Sequence, residues 1–486
     1  MALSRNQILG IVAIVIIVCA TGGGAYYYFF ILAPQQPLPP KESVTIGCAL
    51  SLTGPFGGGA ALHLTPYYNW IVDEYNDLGG LYIPEYGQRL PIEMTIVDDE
   101  GNVENLISQT ERFITVDHVD FIFPPWGTAM NFAVFPLYQQ YGYPVVALTV
   151  GADEAASRIE SGEWNYVFLT LGQPHHTGNV IADYLSYIDA NMTSLDSIGI
   201  IFVADQHGVE YGGAAYSYLY TRGFNITVYQ SYPINVADFT PIINQLKLWD
   251  CDVMFASSYP PDGMLLLGQC IAQDYSPKVM FFGPGIEVPM IVHGPGAFTD
   301  EQTMGIHFYD GYPATAYDTP ELAAWAELHN STLGFYPFPA SATFYGGLQC
   351  LFQAIEQVGL NRALVREALA TQTFDTVLGP YTFVAGEHPD IPGTGLLSQW
   401  QGGDMMEVVW PLDVASAPII APKPAWPAPP APTASVPLPT GTDYQFGGQG
   451  IDSAKIGIKP VADRSMDFAT MSIVSPMLSW RLTSRD

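Results

Sequence analysis

Charge is scarce in this chain, and basic charge is scarcer still. Charged residues make up 13% of the 486 residues, against a usual share of about 25%. Only 16 Lys and Arg stand against 47 Asp and Glu, for a formal net charge of −31. A field of that sign repels nucleic acid and anionic lipid, and no stretch interleaves basic with aromatic residues, so nucleic acid is excluded as a partner. Cysteine is equally sparse: Cys19, Cys48, Cys251, Cys270 and Cys350 form no CxxC and no Cys/His cluster at metal spacing. No metal site is therefore expected. Cys251 opens a predicted strand and Cys270 ends the helix after it; a disulfide there is conceivable, and two buried free thiols are the plainer reading. A nucleophile elbow, a phosphate-binding loop, a dinucleotide fingerprint and HExxH are all missing. Gly57-Gly58-Gly59 lacks the Lys, Ser or Thr that a phosphate loop needs, and His175-His176 and Asp98-Asp99-Glu100 fall in separate predicted loops. These absences argue against an enzyme, and no cofactor is expected.

What remains is apolar and aromatic. Hydrophobic residues reach 48% and Tyr occurs 29 times, enough for sizeable cores. A Lys-poor exterior rich in carboxylates suits an acidic medium, and a stability profile that stays flat near the carboxylate pKa values is expected. Ile8 to Leu32 is an uncharged run of 25 residues, long enough to cross a bilayer. Arg5 before it favours an N-terminus inside, and Tyr26 to Phe30 would form an aromatic belt at the outer face. Gly22 to Gly24 leave a cleaved secretory signal open as the alternative. Cys19 invites a lipid-attachment reading, which Val18 disfavours. Both main readings place the rest of the chain outside the cytoplasm. The triplets beginning at Asn191, Asn225 and Asn330, all Asn-x-Thr, fit that placement as glycan acceptors.

Residues 33–42 read as a Pro-rich spacer. From residue 43 strands alternate with helices: strands at 44–50, 91–97, 121–123 and 144–148, helices at 60–78, 103–116 and 129–140. The rhythm restarts with strands at 197–203, 226–231, 252–257 and 278–282 and helices between them. Two successive runs of βα units predict an α/β protein of two lobes with parallel sheets. Helical patterns return at 320–330, 340–358 and 361–370, short strands follow to 410, and Pro411-Leu412 is expected to close the fold. Residues 417–440, with nine prolines, read as a polyproline-like stalk too poor in packing residues for a core. The tail 441–486 holds five basic and five acidic residues, so the net charge lies in residues 1–440.

The ordered loops carry a resemblance. VTIGCALSLTGPFGGGA, NDLGG followed by LPIEMTIVDDEGN, GIIFVADQHGVEYGGAA, FTPIINQLKLWDCDVMFASSYPPDG, VMFFGPG and TVLGPYTF occur in that order across residues 43–412. Together they resemble the substrate-binding proteins of branched-chain amino acid (leucine/isoleucine/valine-binding) type ABC transporters. That resemblance implies a type I periplasmic-binding-protein fold, a Venus flytrap whose two lobes close on a solute and present it to a membrane permease. The bilobal domain would span 43–413, with one lobe at about 43–169 and 308–375 and the other at 170–307 and 376–413.

The resemblance also implies a ligand site. Hydroxyls and backbone amides at helix N-termini, which favour anions, map to Gly127, Thr128, Thr149 and Gly151. Thr128 could equally serve as a plain helix cap. The family's cleft tyrosine maps to Tyr259, ahead of Pro260 and Pro261. Its YG tyrosine maps to His207, with Tyr211 one turn later, and Trp126 could floor the pocket or merely fill a core. The family's ammonium-binding acid follows Gly-Pro, where this chain has Gly285. Glu287, two residues on, is the available substitute. Without a carboxylate at that point an amino acid loses its strongest orienting pair, which leaves amides, polyols and amine-free carboxylates open beside amino acids. A receptor ectodomain without a transport role, or a surface-structural protein, are the competing functions.

Overall fold

A computed structural model describes residues 39–289, 298–309, 320–383, 395–403 and 405–426. The run 8–32 with Cys19, most of the spacer, and everything after Trp426 lie outside the described residues. Among the described residues no helix is long and apolar enough to cross a membrane.

The chain opens with β1 (Val44–Leu50), α1 (Gly57–His63), α2 (Thr65–Asp77), β2 (Leu81–Ile83), β3 (Gln88–Leu90), β4 (Ile92–Asp98), α3 (Val103–Thr115), β5 (Phe121–Ile122), α4 (Thr128–Tyr141), β6 (Val145–Ala147), α5 (Asp153–Glu160) and β7 (Val167–Leu169). It continues with α6 (Pro174–Asn191), β8 (Ile198–Val203), α7 (Gln206–Thr221), β9 (Ile226–Tyr232), α8 (Thr240–Leu248), β10 (Val253–Ser257), α9 (Pro260–Ala272), β11 (Val279–Gly283), α10 (Asp300–Thr303) and β12 (Ile306–Phe308). The last group is α11 (Pro320–Leu333), α12 (Ser341–Val358), α13 (Arg362–Thr371), β13 (Thr373–Thr376), β14 (Gly379–Thr382), β15 (Leu397–Gln399) and β16 (Glu407–Trp410).

Lobe one is built on the parallel sheet β4-β1-β5 and the parallel pair β6-β7; lobe two is built on a seven-stranded sheet in the order β16-β15-β12-β11-β10-β8-β9. The strands obey the rule that parallel strands covered by helices on both faces are apolar throughout. β8 (IGIIFV), β10 (VMFAS) and β11 (VMFFG) are buried at every residue. β4, at a sheet edge, alternates instead at its start. The antiparallel strands β15 and β16 finish lobe two beside β12. The hairpin β13–β14 pairs Thr373–Thr376 with Gly379–Thr382 and packs on α12 and α13.

Three local expectations are corrected. The single helix expected over 60–78 is two, broken at Leu64. Pro66 lacks the N–H that an unbroken helix would use, and it sits where a new helix can start. This break leaves His63 on the last turn of α1. Second, α5, β7 and α6 fill a stretch that the periodicity did not divide, and His175 and His176 stand in the first turn of α6, not in a loop. Third, the fold does not close at Leu412, and the Pro-rich stretch is not a stalk from its beginning. Ile420 exchanges hydrogen bonds with the Gln399 side chain, the Lys423 N–H donates to the Lys278 carbonyl at 2.7 Å, and the indole N–H of buried Trp426 donates to the Gln302 carbonyl at 3.0 Å. A chain ending after Asp413 should therefore unfold at a lower temperature than the parent in calorimetry. Trp426→Ala alone should cost about 3 kcal/mol; equal midpoints would mean that the strap is dispensable.

Cys48, Cys251, Cys270 and Cys350 are buried free thiols, so the disulfide alternative for Cys251 and Cys270 is not realised. Asn191 and Asn225 are exposed and Asn330 is half-buried.

Candidate functional site

Both lobes point the C-terminal ends of their parallel strands at one cleft, where ligands of open α/β sheets sit. The loop after β5 brings Trp126, Gly127 and Thr128; the end of β6 brings Thr149. From the other lobe, the end of β8 brings Asp205 and His207, the end of β10 brings Tyr259, and the end of β11 brings Pro284 and Glu287. All of these residues except Asp205 line a cavity of ≈ 50 Å³, space for about four water molecules or a small solute.

On the lobe-one side, Gly127 caps α4 with φ 90°, a conformation that glycine adopts without strain. Asn131 holds this loop by donating to the carbonyls of Pro125 (2.7 Å) and Gly127 (2.9 Å). The Gly127 N–H donates to Thr149 Oγ1 at 2.9 Å, so this amide is spent on Thr149 and is not offered to a ligand, a correction to the expected anion site. Thr149 keeps its hydroxyl proton for an acceptor in the cavity. Thr128 does not cap its helix: it is the first helical residue, and its hydroxyl oxygen is buried at the cavity wall without a partner among the described residues. Gly151 is the one expected residue that does not line the cavity. A Cβ there would stand 2.2 Å from the Tyr211 hydroxyl, so the glycine makes room for Tyr211, which donates to the Gly172 carbonyl at 2.8 Å.

On the lobe-two side, Tyr259 is the residue before α9 and is 4% exposed. Its hydroxyl donates to Asp205 Oδ2 at 2.5 Å, while Asp205 Oδ1 caps α7 through the Gly208 N–H at 3.0 Å. Burial, and then the nearby Asp205, push the Tyr259 phenol far up. His207 stacks on Tyr259 with ring centres 5.4 Å apart. Burial holds its imidazole pKa below the usual range, against the pull of Asp205 and the Gly283 carbonyl; its Nε2 has no hydrogen-bond partner among the described residues. Behind Tyr259, burial and Asp205 raise Asp262 to about 7, although a backbone hydrogen bond opposes the shift.

Glu287 follows two residues after Gly285. Its side chain turns back so that Oε2 accepts from the Gly285 N–H, and the carboxylate lines the cavity at 1% exposure. Oε1 lies 3.3 Å from His63 Nε2 on the opposite lobe. Tyr259 likewise meets Trp126 (5.0 Å) and Phe56 (5.6 Å, edge-on) of lobe one. The lobes are thus shut around the cavity. At its rim Glu210 of α7 accepts from the N–H groups of Asp153 (2.5 Å) and Glu154 (3.3 Å) on α5, and burial raises its carboxyl pKa.

Of the expected residues, Trp126, Gly127, Thr128, Thr149, His207, Tyr211, Tyr259 and Glu287 all line one cavity. His63, Leu171, Phe308, Tyr309 and Phe344 also line it and were not singled out. His63 had one available signal: it is the lone polar side chain in a short small-residue helix. Leu171 lies in the loop after β7, and Phe308, Tyr309 and Phe344 come from β12, its end and α12; no motif marks any of them. Among the described residues no Lys or Arg lines the cavity, and no group of three or more His, Cys, Asp or Glu is placed to hold a metal ion.

A family model described as periplasmic binding protein matches residues 43–404. The chain belongs to the periplasmic binding protein family. A Leu/Ile/Val-binding protein homolog (homolog 7) of Brucella abortus is 25% identical over 349 residues, which cover 69% of this chain and 84% of that one. This is the branched-chain amino acid type that the ordered loops resemble. The branched-chain amino acid transporter substrate-binding protein of Streptococcus pneumoniae, solved with isoleucine, superposes with TM-score 0.63 at 17% identity, over 76% of this chain and 100% of that chain. A solute-binding protein of an ABC transporter from R. palustris, solved with benzoate, gives TM-score 0.61 at 17% identity, over 79% and 98%. These likenesses fix the type I fold of this periplasmic binding protein.

Proposed function

We propose that this chain is the extracytoplasmic substrate-binding component of an ABC importer, that it captures an amino acid or a closely related amine-bearing solute in the interlobe cleft, and that it delivers the solute to a membrane permease. The observation that carries the reading is Glu287: a carboxylate at 1% exposure, on the wall of a cavity that no Lys or Arg lines among the described residues. A buried charge without a counter-ion is costly, and a ligand ammonium supplies one. Glu287 offers a carboxylate two residues after Gly285, which supports amine-bearing over amine-free solutes. Thr128 and Thr149 hydroxyls, at the N-terminus of α4, are the partners for the ligand's polar or anionic end, and the rings of Trp126, Tyr259 and Tyr309 cover its apolar part. The run 8–32 would tether the protein to the membrane.

Thermal unfolding of the full chain against branched-chain amino acids, other amino acids, amides, sugars, urea and benzoate tests this. A solute at about 100 times its Kd stabilises by roughly 2.7 kcal/mol. Amine-bearing solutes should raise the midpoint and benzoate should not. A shift with benzoate or sugars but with no amine would reverse the assignment, and silence across the panel would favour a surface-structural role.

A further inference from the structure

His207 brings to the cavity wall a hydrogen-bond acceptor that the surrounding side chains leave unserved. Its ring stands between Tyr211 and Tyr259, with centres 4.7 Å and 5.4 Å away, and is 8% exposed. One ring nitrogen is bound to the Gly283 carbonyl. Nε2 is buried and has no partner among the described residues, so the bound nitrogen is Nδ1 and it carries the ring proton. Burial opposes a second proton, which leaves a bare lone pair on Nε2. The three tyrosines of the cavity wall have given their protons elsewhere. Tyr211 donates to the Gly172 carbonyl, Tyr259 to Asp205, and Tyr309 to the Gly283 carbonyl at 2.9 Å. The Thr128 hydroxyl, also buried without a partner among the described residues, can donate or accept as a ligand requires. His207, its Nδ1 proton fixed by Gly283, can only accept.

We propose that His207 makes this cleft select solutes whose side chain donates a hydrogen bond, from a hydroxyl or a carboxamide, over solutes with the aliphatic side chains of branched-chain amino acids. The selection rests on the cleft being the solute site, with the ligand amine at Glu287. Glu287 lies against His63, whereas the carboxylate that acts on His207 is Asp205, so the two acceptors address different parts of the ligand. An aliphatic side chain placed over Nε2 strips the lone pair of water and returns no donor, a loss of about 10-fold or more in affinity. A hydroxyl or an amide N–H repairs it. Discrimination of this kind is stronger than a hydrophobic pocket achieves by size, because the group left unpaired belongs to the protein and is buried in every complex with the wrong ligand.

Calorimetric titration of the full chain with L-threonine and L-valine, after bound solute is removed by unfolding and refolding, tests this. The two amino acids have nearly the same shape and differ by a hydroxyl against a methyl. The parent should bind threonine about 10-fold or more tightly than valine. His207→Gln keeps an acceptor oxygen and should keep the preference. His207→Phe keeps a ring between Tyr211 and Tyr259 but has no lone pair, and it should bind the two amino acids alike. Should His207→Phe fail to fold, His207→Leu takes its place. Equal affinities in the parent would overturn the selection and leave the amine at Glu287 standing, as would a threonine preference undiminished in His207→Phe. Lactate and isobutyrate are an amine-free pair with the same hydroxyl-for-methyl difference. Lactate bound more tightly than isobutyrate, by a parent that ignores both amino acids, would retain the selection and refute the amine ligand. Silence with all four would overturn both.

Discussion

Glu287→Gln is expected to weaken the binding of amine-bearing solutes by about 100-fold or more, while leaving the fold intact. Breaking a buried ion pair by removing one partner costs about 3 to 5 kcal/mol, and each 1.4 kcal/mol is about tenfold in affinity. The amide is close to isosteric and can still accept from the Gly285 N–H, so the loop after β11 keeps its shape. Tyr259→Phe provides the contrast. It removes the hydroxyl that donates to Asp205 at 2.5 Å but keeps the ring against Trp126 and Phe56, and it should cost affinity far less than Glu287→Gln. Calorimetric titration with the amines that raise the thermal midpoint measures both. An unchanged affinity in Glu287→Gln would place the ligand amine elsewhere and remove the main support for the proposed solute class.

The second large effect concerns pH. Asp262→Asn should make the protein more stable than the parent by about 3 kcal/mol at pH 8, and the advantage should vanish near pH 4. The Asp262 pKa is raised from 3.8 to about 7, first by burial and then by Asp205. Between those values the folded state holds a proton that the unfolded state has lost, so stability falls as pH rises through that window and levels off above it. The Asp262→Asn substitution removes that slope. Asp99 behaves alike, raised to about 6 by burial against hydrogen bonds from Ser51 and Gly101. Buried histidines act with the opposite sign. Burial lowers His307 to about 3 and His329 to about 4, so stability drains away as pH falls from about 6.5 toward those values. From about pH 4 to 6.5 the two sets oppose each other, and the flat profile expected from the composition acquires a residue-level cause. Urea denaturation at pH 4, 6 and 8 measures it. An Asp262→Asn protein with the parent's pH slope would mean that Asp262 is not the responsible group.

Much of this was legible because periodicity and ordered loops act locally. β1 is a seven-residue run with Thr45 as its one polar residue, and the loops after β1, β5, β8 and β10 keep recognisable composition, so Thr128, His207 and Tyr259 could be placed from sequence. They converge on one cavity; what each contributes to binding is for the titrations above to decide. The rest depended on packing across the chain. Nothing local tells that Gly151 exists to admit the Tyr211 ring from the other lobe. The Gly127 amide looked available because its acceptor, Thr149, is 22 residues away. Glu287 could be proposed but not oriented, since its place depends on a turn whose closing hydrogen bond is made by Glu287 itself. The Pro-rich stretch misled because composition shows that a segment cannot build a core, not that it cannot dock on one.

The trans-lobe contact at the rim has a consequence of another kind. α5 begins after Ala152, which has no side chain to cap it, and its first amides are served by Glu210 from the opposite lobe. The amides of Asp153 and Glu154 therefore belong to one rigid body and owe their shielding to the other. They can trade hydrogen for deuterium when the lobes part, while amides inside β8 or β10 wait for far larger openings. The slowing of their exchange relative to a free peptide reads out the closed-to-open ratio, residue by residue, in unlabelled protein. A ligand that shuts the cleft would be visible there as a clock running slower.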